Sequence, residues 1–413
     1  MFFKFSFFMS SDHLCTIMKL YVNIARAVVQ ALESIFEEGK YADKVIEKVL
    51  KQNPKWGARD RRFIAETTYD IVRWHRLLYT LANCEPTDFW KLLGVWCILH
   101  EVPLPAWEEF SSLSDKKIFE RLEKFKNIRK IHESIPDWLD EIGSTELGDA
   151  WDKELHALND EAPVVLRANT LKISAKELKA LLEEDGIETY LSKELPDAVI
   201  LKERQNVFRH PSFKAGLFEV QDASSQRIGP MLRLEPGMRV IDACAGAGGK
   251  TLHIAALLQN RGKIIAMDVE GWKLEEMKKR ARRAEASNIE PRIIESSKTI
   301  KRLENSCDRL LLDVPCSGLG VLKRNPDAKW KLTPEFIDEV RTLQQHILQD
   351  YCMMLKPGGL MVYSTCSILP SENENQVKTF LSTHGEKFEL LEEHHAWPSQ
   401  GFDGFYMALL KRK

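Results

Sequence analysis

Two cysteines stand at the ends of similar segments. LLLDVPCSG carries Cys316, and MVYSTCSILPSENENQ carries Cys366. In each, an apolar run that reads as a buried strand passes into tight-turning polar residues, and the thiol sits in the turn. The carboxyl ends of strands in a parallel sheet face one ligand crevice. A thiol placed there is a candidate nucleophile. A free cysteine is more ordinarily a small buried hydrophobe, and Cys244, Cys307 and Cys352 are read that way first. Placement alone leaves Cys316 and Cys366 as equals.

A third strand end has a different chemistry. RVIDA opens into CAGAGGKT, which then starts a helix. Gly246, Gly248 and Gly249 let a ligand approach the backbone, so Cys244, Ala245, Gly246, Ala247, Gly248, Gly249 and Lys250 form a candidate cofactor turn. About 20 residues on, KIIAMD ends at Asp268, the position from which an acid accepts ribose hydroxyls. The turn is not GxGxxG, which disfavours a nicotinamide cofactor. It is not GxxxxGK[ST] either, because Cys244 stands where the first glycine would be. A cofactor with a ribose and an amino-acid tail but no phosphate fits best, which points to S-adenosylmethionine.

These ends need a scaffold. At 413 residues the chain exceeds one ordinary core, so two or three domains are expected. A composition 44% apolar and 29% charged is that of a globular protein, and a formal charge of −2 leaves room only for local basic patches. The eight cysteines include no CxxC pair. That argues against a metal site and a disulfide framework, and for a reducing, cytoplasmic compartment. MFFKFSFFMSSDHLC is apolar, but it is short, interrupted by Lys4 and without a small-residue cleavage site. Residues 1–17 read as a disordered extension or an over-long start. No run of about 18 apolar residues predicts a membrane span.

Apolar positions three and four apart predict an all-α domain over 18–150, with Gly39 as a helix stop. ARDRRFIAETTYDIVRWHRLLYTL reads as one long helix bearing Arg59, Arg61, Arg62, Arg73 and Arg76. Residues 151–235 form a small α/β lead-in, with strands VVLRANT and ETYL and a capping box at Ser174 and Glu177. Over 236–413, strands at 238–243, 263–268, 308–313 and 360–365 alternate with helical segments. The expected fold class is therefore multidomain, ending in a Rossmann-like α/β domain with a doubly wound, mostly parallel sheet.

DACAGAGGKT, LLLDVPCSGLGVLKRNPD, YSTCSILPSENENQ, FEVQDASSQ and VLRANTLK together resemble the RNA cytosine-5 methyltransferases of the Sun/Fmu and NOP type. The resemblance covers roughly residues 160–413. The N-terminal helices, with ARDRRFIAETTYDIVR, resemble the NusB-like RNA-binding domain at the front of the bacterial members. What the resemblance implies is S-adenosylmethionine-dependent methylation of cytosine C5. Cytosine C5 is a poor nucleophile. A thiolate adding to C6 makes it enamine-like, and such a thiol needs activation by its surroundings. The resemblance assigns Cys366 as the nucleophile, Cys316 to product release, and Asp313 to the cytosine edge near the cofactor. Lys250 matches the motif lysine, placed to contact the target base. This sequence departs from the family at Gly246-Ala247, where Ala-Pro is usual, and at Ser296, where an acid commonly meets the adenine end.

RNA recognition calls for basic surface beside the pocket. Arg167, Asn169, Lys172, Lys323 and Arg324 are the candidates, and KLEEMKKRARRAEA is a basic stretch with a plainer reading as an outer helix face. The implied partner is an RNA, with small-subunit ribosomal RNA favoured by the NusB-like front, and the protein is expected to act as a monomer. The alternatives are a tRNA or DNA methyltransferase of the same chemistry, and a non-catalytic ribosome-assembly factor on the same fold.

Overall fold

In the computed structural model, which describes residues 19–413, the apolar spacing of the N-terminal region closes into helices. Helix Val22–Phe36 buries Ile24, Val28, Leu32 and Ile35. These pack with residues of Ala42–Gln52, Ala58–Arg73, His75–Ala82 and Phe89–Leu99 in one apolar core. The extension expected over 1–17 lies outside the described residues. Gly39 takes a φ of +67°, as a stop after the first helix requires.

The long arginine-bearing helix is in fact two. It breaks at Trp74, where φ is −104° and ψ is 19°. The Ser134 hydroxyl accepts from the freed N–H groups of Arg76 (2.9 Å) and Leu77 (3.3 Å), so a side chain distant in sequence caps the second helix. Arg61, Arg73 and Arg76 donate to the carbonyls of Leu50, Lys323 and Ile135. Arg59 and Arg62 are exposed.

The chain divides into two compact units. One holds the helices through Glu161 together with Leu322–Leu332; the other holds Ala162–Val321 and Thr333–Lys413. The helical unit therefore runs past residue 150, because helix Ala150–Leu158 buries Trp151 against Gly143. It also takes back a segment from the far end of the sequence. Trp330 Nε1 donates to Val72 O (2.6 Å), and Asp327 accepts from Ala42 N (3.1 Å).

The second unit contains two sheets. The smaller one is antiparallel, in the order β2-β3-β1-β4: β1 Val165–Ala168, β2 Thr189–Leu191, β3 Ala198–Leu201 and β4 Phe218–Val220. Both halves of the capping box form: Ser174 Oγ accepts from Glu177 N, and Glu177 accepts from Ser174 N. The larger sheet has seven strands: β5 Arg239–Asp242, β6 Lys263–Asp268, β7 Ile289–Ile293, β8 Cys307–Asp313, β9 Leu355–Thr365, β10 Phe388–Ala396 and β11 Phe405–Arg412. Their order is β10-β11-β9-β8-β5-β6-β7. Strands β9, β8, β5, β6 and β7 run parallel, and β11 enters antiparallel between β9 and β10.

The central strands are apolar on both faces, as a sheet covered by helices on both sides demands: Val240, Ile241, Leu310, Leu311, Leu312, Met361 and Val362 are all buried. The register matters most. In the parallel pair β8/β9, Asp313 lies beside Ser364. Each strand then runs two or three residues further to a cysteine, so the two thiols emerge side by side.

Candidate active site

The cofactor turn follows β5 and leads into helix Gly249–Leu257. Gly246 has a φ of +54° and nothing within 4 Å of where a Cβ would be. Gly248 has a φ of +87°, and a Cβ there would lie 2.3 Å from the Met277 side chain. The first glycine leaves open space over the backbone, and the second lets the turn seat on the helix behind it. Asp268, at the end of β6, accepts from Gly246 N and Glu270 N, each at 2.9 Å. Val269 beside it is 65% exposed, an apolar surface next to an acid. Ile294 N donates to Asp268 O (2.9 Å), which brings the turn with exposed Ser296 to the same edge. An open glycine, an acid and a neighbouring apolar face fit a ribose bearing a purine. Gly246-Ala247 keeps the backbone accessible.

Two arginines hold this turn from behind. Arg167 Nη1 on β1 donates to Gly249 O (2.8 Å), and Arg280 Nη1 donates to Ala247 O (2.9 Å). Arg280 also pairs with buried Glu219 on β4 (2.9 Å), which takes Arg283 on its other oxygen. Burial pulls the Arg167 guanidinium down to about 10. The small antiparallel sheet is thus fastened to the back of the cofactor turn.

This corrects the reading of several residues as RNA contacts. Arg167 and Asn169 are buried. Asn169 Nδ2 donates to Gly216 O and Ala284 O, both at 2.8 Å. Lys172 Nζ bonds Ala215 O, Arg283 O and Glu285. All three latch one part of the unit to another, and Asn169 and Lys172 do so by satisfying carbonyls that helix ends leave open. Lys323 is 2% exposed within the helical unit, and Arg324 is half-buried. The basic helix is read correctly as an outer face only in part, since Arg280 and Arg283 turn inward to Glu219.

Three strands bring the chemistry together. Asp313 Oδ2 accepts from Lys250 Nζ at 2.6 Å, and Oδ1 accepts from Ser364 Oγ at 2.9 Å. Burial alone would pull the Lys250 ammonium down; the charge of Asp313 and the hydrogen bond outweigh it and hold it above its usual value. Behind them Asp242 is fully buried, with Oδ2 accepting from Thr251 Oγ1 (2.7 Å). Burial pushes its carboxyl up to about 7. Cys244, also in the turn, has its thiol pushed well up by burial, which suits a packing role.

Cys316 Sγ and Cys366 Sγ lie 3.3 Å apart. Both are half-buried, while Ser317, Leu319, Ser367 and Ile368 around them are buried. The hydrogen bond with Cys366, then burial, then the charges of Cys366 and Glu372 push the Cys316 thiol well up. Cys366 O accepts from Gly320 N (2.9 Å), and a Cβ at Gly320 would lie 2.8 Å from that oxygen. Only glycine allows this approach.

Sequence reasoning brought Cys316, Cys366, Asp313 and Lys250 into one place, and the structure has them there. It missed Ser364, Glu372, Arg280 and Glu219 as parts of the site. SENENQ and FEVQD already marked two of these stretches, but their side chains point to partners far away in sequence.

The comparisons with known proteins give the family of the chain. The family described as 16S rRNA methyltransferase RsmB/F matches residues 230–411, and its RsmF/B-like ferredoxin-like domain matches residues 135–208. A probable ribosomal RNA small subunit methyltransferase B from Synechocystis is 33% identical over 92% of this chain and 97% of its own. A ribosomal RNA small subunit methyltransferase B from Klebsiella pneumoniae is 29% identical over 96% and 100%. The crystal structure of PH0851 superposes with a TM-score of 0.81 at 27% identity, covering 96% of this chain and 100% of that one. A methyltransferase homolog from Pyrococcus horikoshii has a TM-score of 0.62 at 28% identity, covering 69% and 98%.

Proposed function

For a chain that belongs to the RsmB/F family of 16S rRNA methyltransferases, we propose that the methyl group goes to C5 of a cytosine through a covalent bond between Cys366 and C6. The coarser reaction is that of the family: methylation of ribosomal RNA with S-adenosylmethionine as cofactor. The observation that carries the finer reading is the pair of thiols 3.3 Å apart, beside an ion pair of Lys250 and Asp313 at the ends of adjacent parallel strands.

The cofactor, when bound, supplies an electrophilic methyl group. The rest is done by residues of the chain. The Gly246 backbone and Asp268 hold the ribose end, with the Ser296 turn at the same edge. Cys366 attacks C6 as a thiolate. Negative charge then builds on the ring toward N3. Asp313 meets this polar edge, and Lys250, kept protonated by Asp313, sits beside it as a preorganised positive charge. After methyl transfer a water molecule takes the C5 proton, the C–H electron pair re-forms the C5–C6 double bond, and the C6–S bond breaks so that Cys366 departs as a thiolate. The thiol proton of Cys316 lies next to the departing sulfur and hydrogen-bonds to it, which favours release.

The helical unit is read as a NusB-like RNA-binding domain that presents Arg59 and Arg62, and the enzyme as a cytoplasmic monomer acting without a metal. Bisulfite sequencing of total RNA with and without the gene tests the whole reading. One 16S rRNA cytosine should lose its protection when the gene is removed. Loss at a tRNA cytosine instead would move the substrate, and an unchanged map of both RNAs would leave a non-catalytic assembly factor.

A further inference from the structure

Behind the two cysteines lies a carboxylate that the reaction above does not use. Glu372 is 0% exposed. Its Oε2 accepts from Ser317 N (2.8 Å) and Gln344 Nε2 (3.1 Å). Its Oε1 accepts from Ser317 Oγ (2.5 Å) and Ser367 Oγ (2.6 Å). Ser317 follows Cys316, and Ser367 follows Cys366. One side chain therefore ties the two cysteine turns together through the residue immediately after each thiol.

The backbone around it is held as firmly. Glu372 O accepts from Tyr363 OH (2.7 Å), and Gln344 Nε2 also reaches Pro315 O (3.0 Å). Next to it, Asn373 accepts from Thr365 Oγ1 (2.5 Å) and donates to Ser367 O (3.0 Å).

The donors are unusual for a fully buried carboxylate. Buried charges are ordinarily paired with an opposite charge. Here the donors to both oxygens are two hydroxyls, a carboxamide and a backbone N–H, all neutral. The carboxylate is well solvated by hydrogen bonds, has no cation among these donors, and is bonded to the residue that follows Cys316. A structural tie alone could be made by a neutral side chain.

The geometry points to Glu372 as the positioning residue of the cysteine pair: it sets the spacing of Cys316 and Cys366, and its negative charge keeps the proton on Cys316. This rests on the covalent reading of the reaction and adds to it a reason why Cys316 is the proton carrier. Among the titratable groups around Cys316 are Cys366, 3.3 Å across the pair, and Glu372, bonded to the next residue Ser317; the Tyr363 phenol donates to Glu372 O. The direction found for Cys316 agrees, since Glu372 is among the charges pushing its thiol up.

The test begins without RNA. Wild-type protein and Glu372→Gln are alkylated with iodoacetamide at pH 7.5, and each cysteine is followed by mass spectrometry. The expected result is that Cys316 in the variant reacts about tenfold faster, since one pKa unit is a tenfold change in thiolate. Cys97, Cys307 and Cys352, buried elsewhere, should not change. An unchanged Cys316, or an equal rise at all four, overturns the inference.

Adduct lifetime on in-vitro transcribed 16S rRNA is then measured. Glu372→Gln should hold an SDS-stable protein–RNA complex several-fold longer than wild type. If Cys316 alkylation responds but the Cys316→Ala variant forms no complex either, the covalent reaction fails while the positioning role stands. If Cys316→Ala traps RNA and Glu372→Gln releases it at the wild-type rate, the positioning role fails. Should Glu372→Gln not fold, Ser317→Ala removes one of the bonds from the Cys316 turn and leaves the charge. Its adduct should persist longer while Cys316 alkylation rises less than twofold; release at the wild-type rate would overturn the inference.

Discussion

The cofactor turn and the cysteine pair sit at neighbouring strand ends, yet they are held by opposite electrostatics. The turn is held from behind by cations: Arg167 and Arg280 donate to the carbonyls of Gly249 and Ala247, with Glu219 balancing Arg280 and Arg283. The cysteine pair is held from behind by an anion, Glu372, whose donors are neutral. The difference follows from what each must do. Donors on the carbonyl side of a turn fix its shape and leave the other side open to a ligand. A carboxylate behind a thiol keeps a proton nearby that a cation would drive away.

Substitutions can separate the two regions, and the largest effect belongs to the cysteines. Cys366→Ala should abolish methylation of 16S rRNA in a methyl-transfer assay and form no SDS-stable complex. Residual turnover above background would contradict the assignment. Next, Lys250→Met should lower the single-turnover rate by about 10²-fold, the scale for removing one preorganised group that stabilises developing charge. A rate within a factor of two of wild type would remove Lys250 from the chemistry.

The arginines should act on binding instead. Arg167→Ala removes the guanidinium bond to the part-buried Gly249 carbonyl, a loss of about 1 kcal/mol. It should weaken S-adenosylmethionine binding by about tenfold in calorimetry, with no change in adduct lifetime once cofactor is saturating. Arg280→Gln, which keeps a hydrogen-bond donor, should weaken binding only about two- to threefold. If either arginine variant lengthened the adduct, or Glu372→Gln weakened cofactor binding, the division between the regions would break down.

The parts of this molecule that were legible beforehand share a physical reason. β5, β6, β8 and the end of β9 are apolar runs buried on both faces, and their ends are marked by glycines, acids and cysteines close by in sequence. The capping box at Ser174 and Glu177 is equally local, and it forms as expected. What was missed depends on partners far along the chain. β7 reads IEPRI, an edge strand with charges and a proline, which edges tolerate and pattern reading rejects. β10 and β11 were not foreseen, because FELLEEHHA alternates irregularly and its pairing with β11 contains a register shift. The break at Trp74 depends on Ser134, and the return of 322–332 to the helical unit depends on Val72, Arg73 and Ala42.

The basic residues failed for a related reason. Arg167, Asn169, Lys172 and Lys323 looked like RNA contacts because polar and charged residues in sequence read as surface. The fold buries Arg167, Asn169 and Lys323 and engages Lys172 with Ala215 O, Arg283 O and Glu285. The site itself fared better. Spacing placed both thiols at neighbouring strand ends, where they lie 3.3 Å apart, and the family resemblance supplied the roles proposed for them. Neither could show Glu372 joining them, since SENENQ reads as a polar turn until Ser317 is folded against it.

The covalent bond to Cys366 is the claim on which the rest turns. The most direct measurement is peptide mapping of the complex formed by Cys316→Ala with 16S rRNA and S-adenosylmethionine, after nuclease digestion. The account predicts a single methylated cytidine adduct on the peptide containing Cys366. A nucleotide attached elsewhere, or no attached nucleotide in a variant that still binds RNA and cofactor, would contradict it.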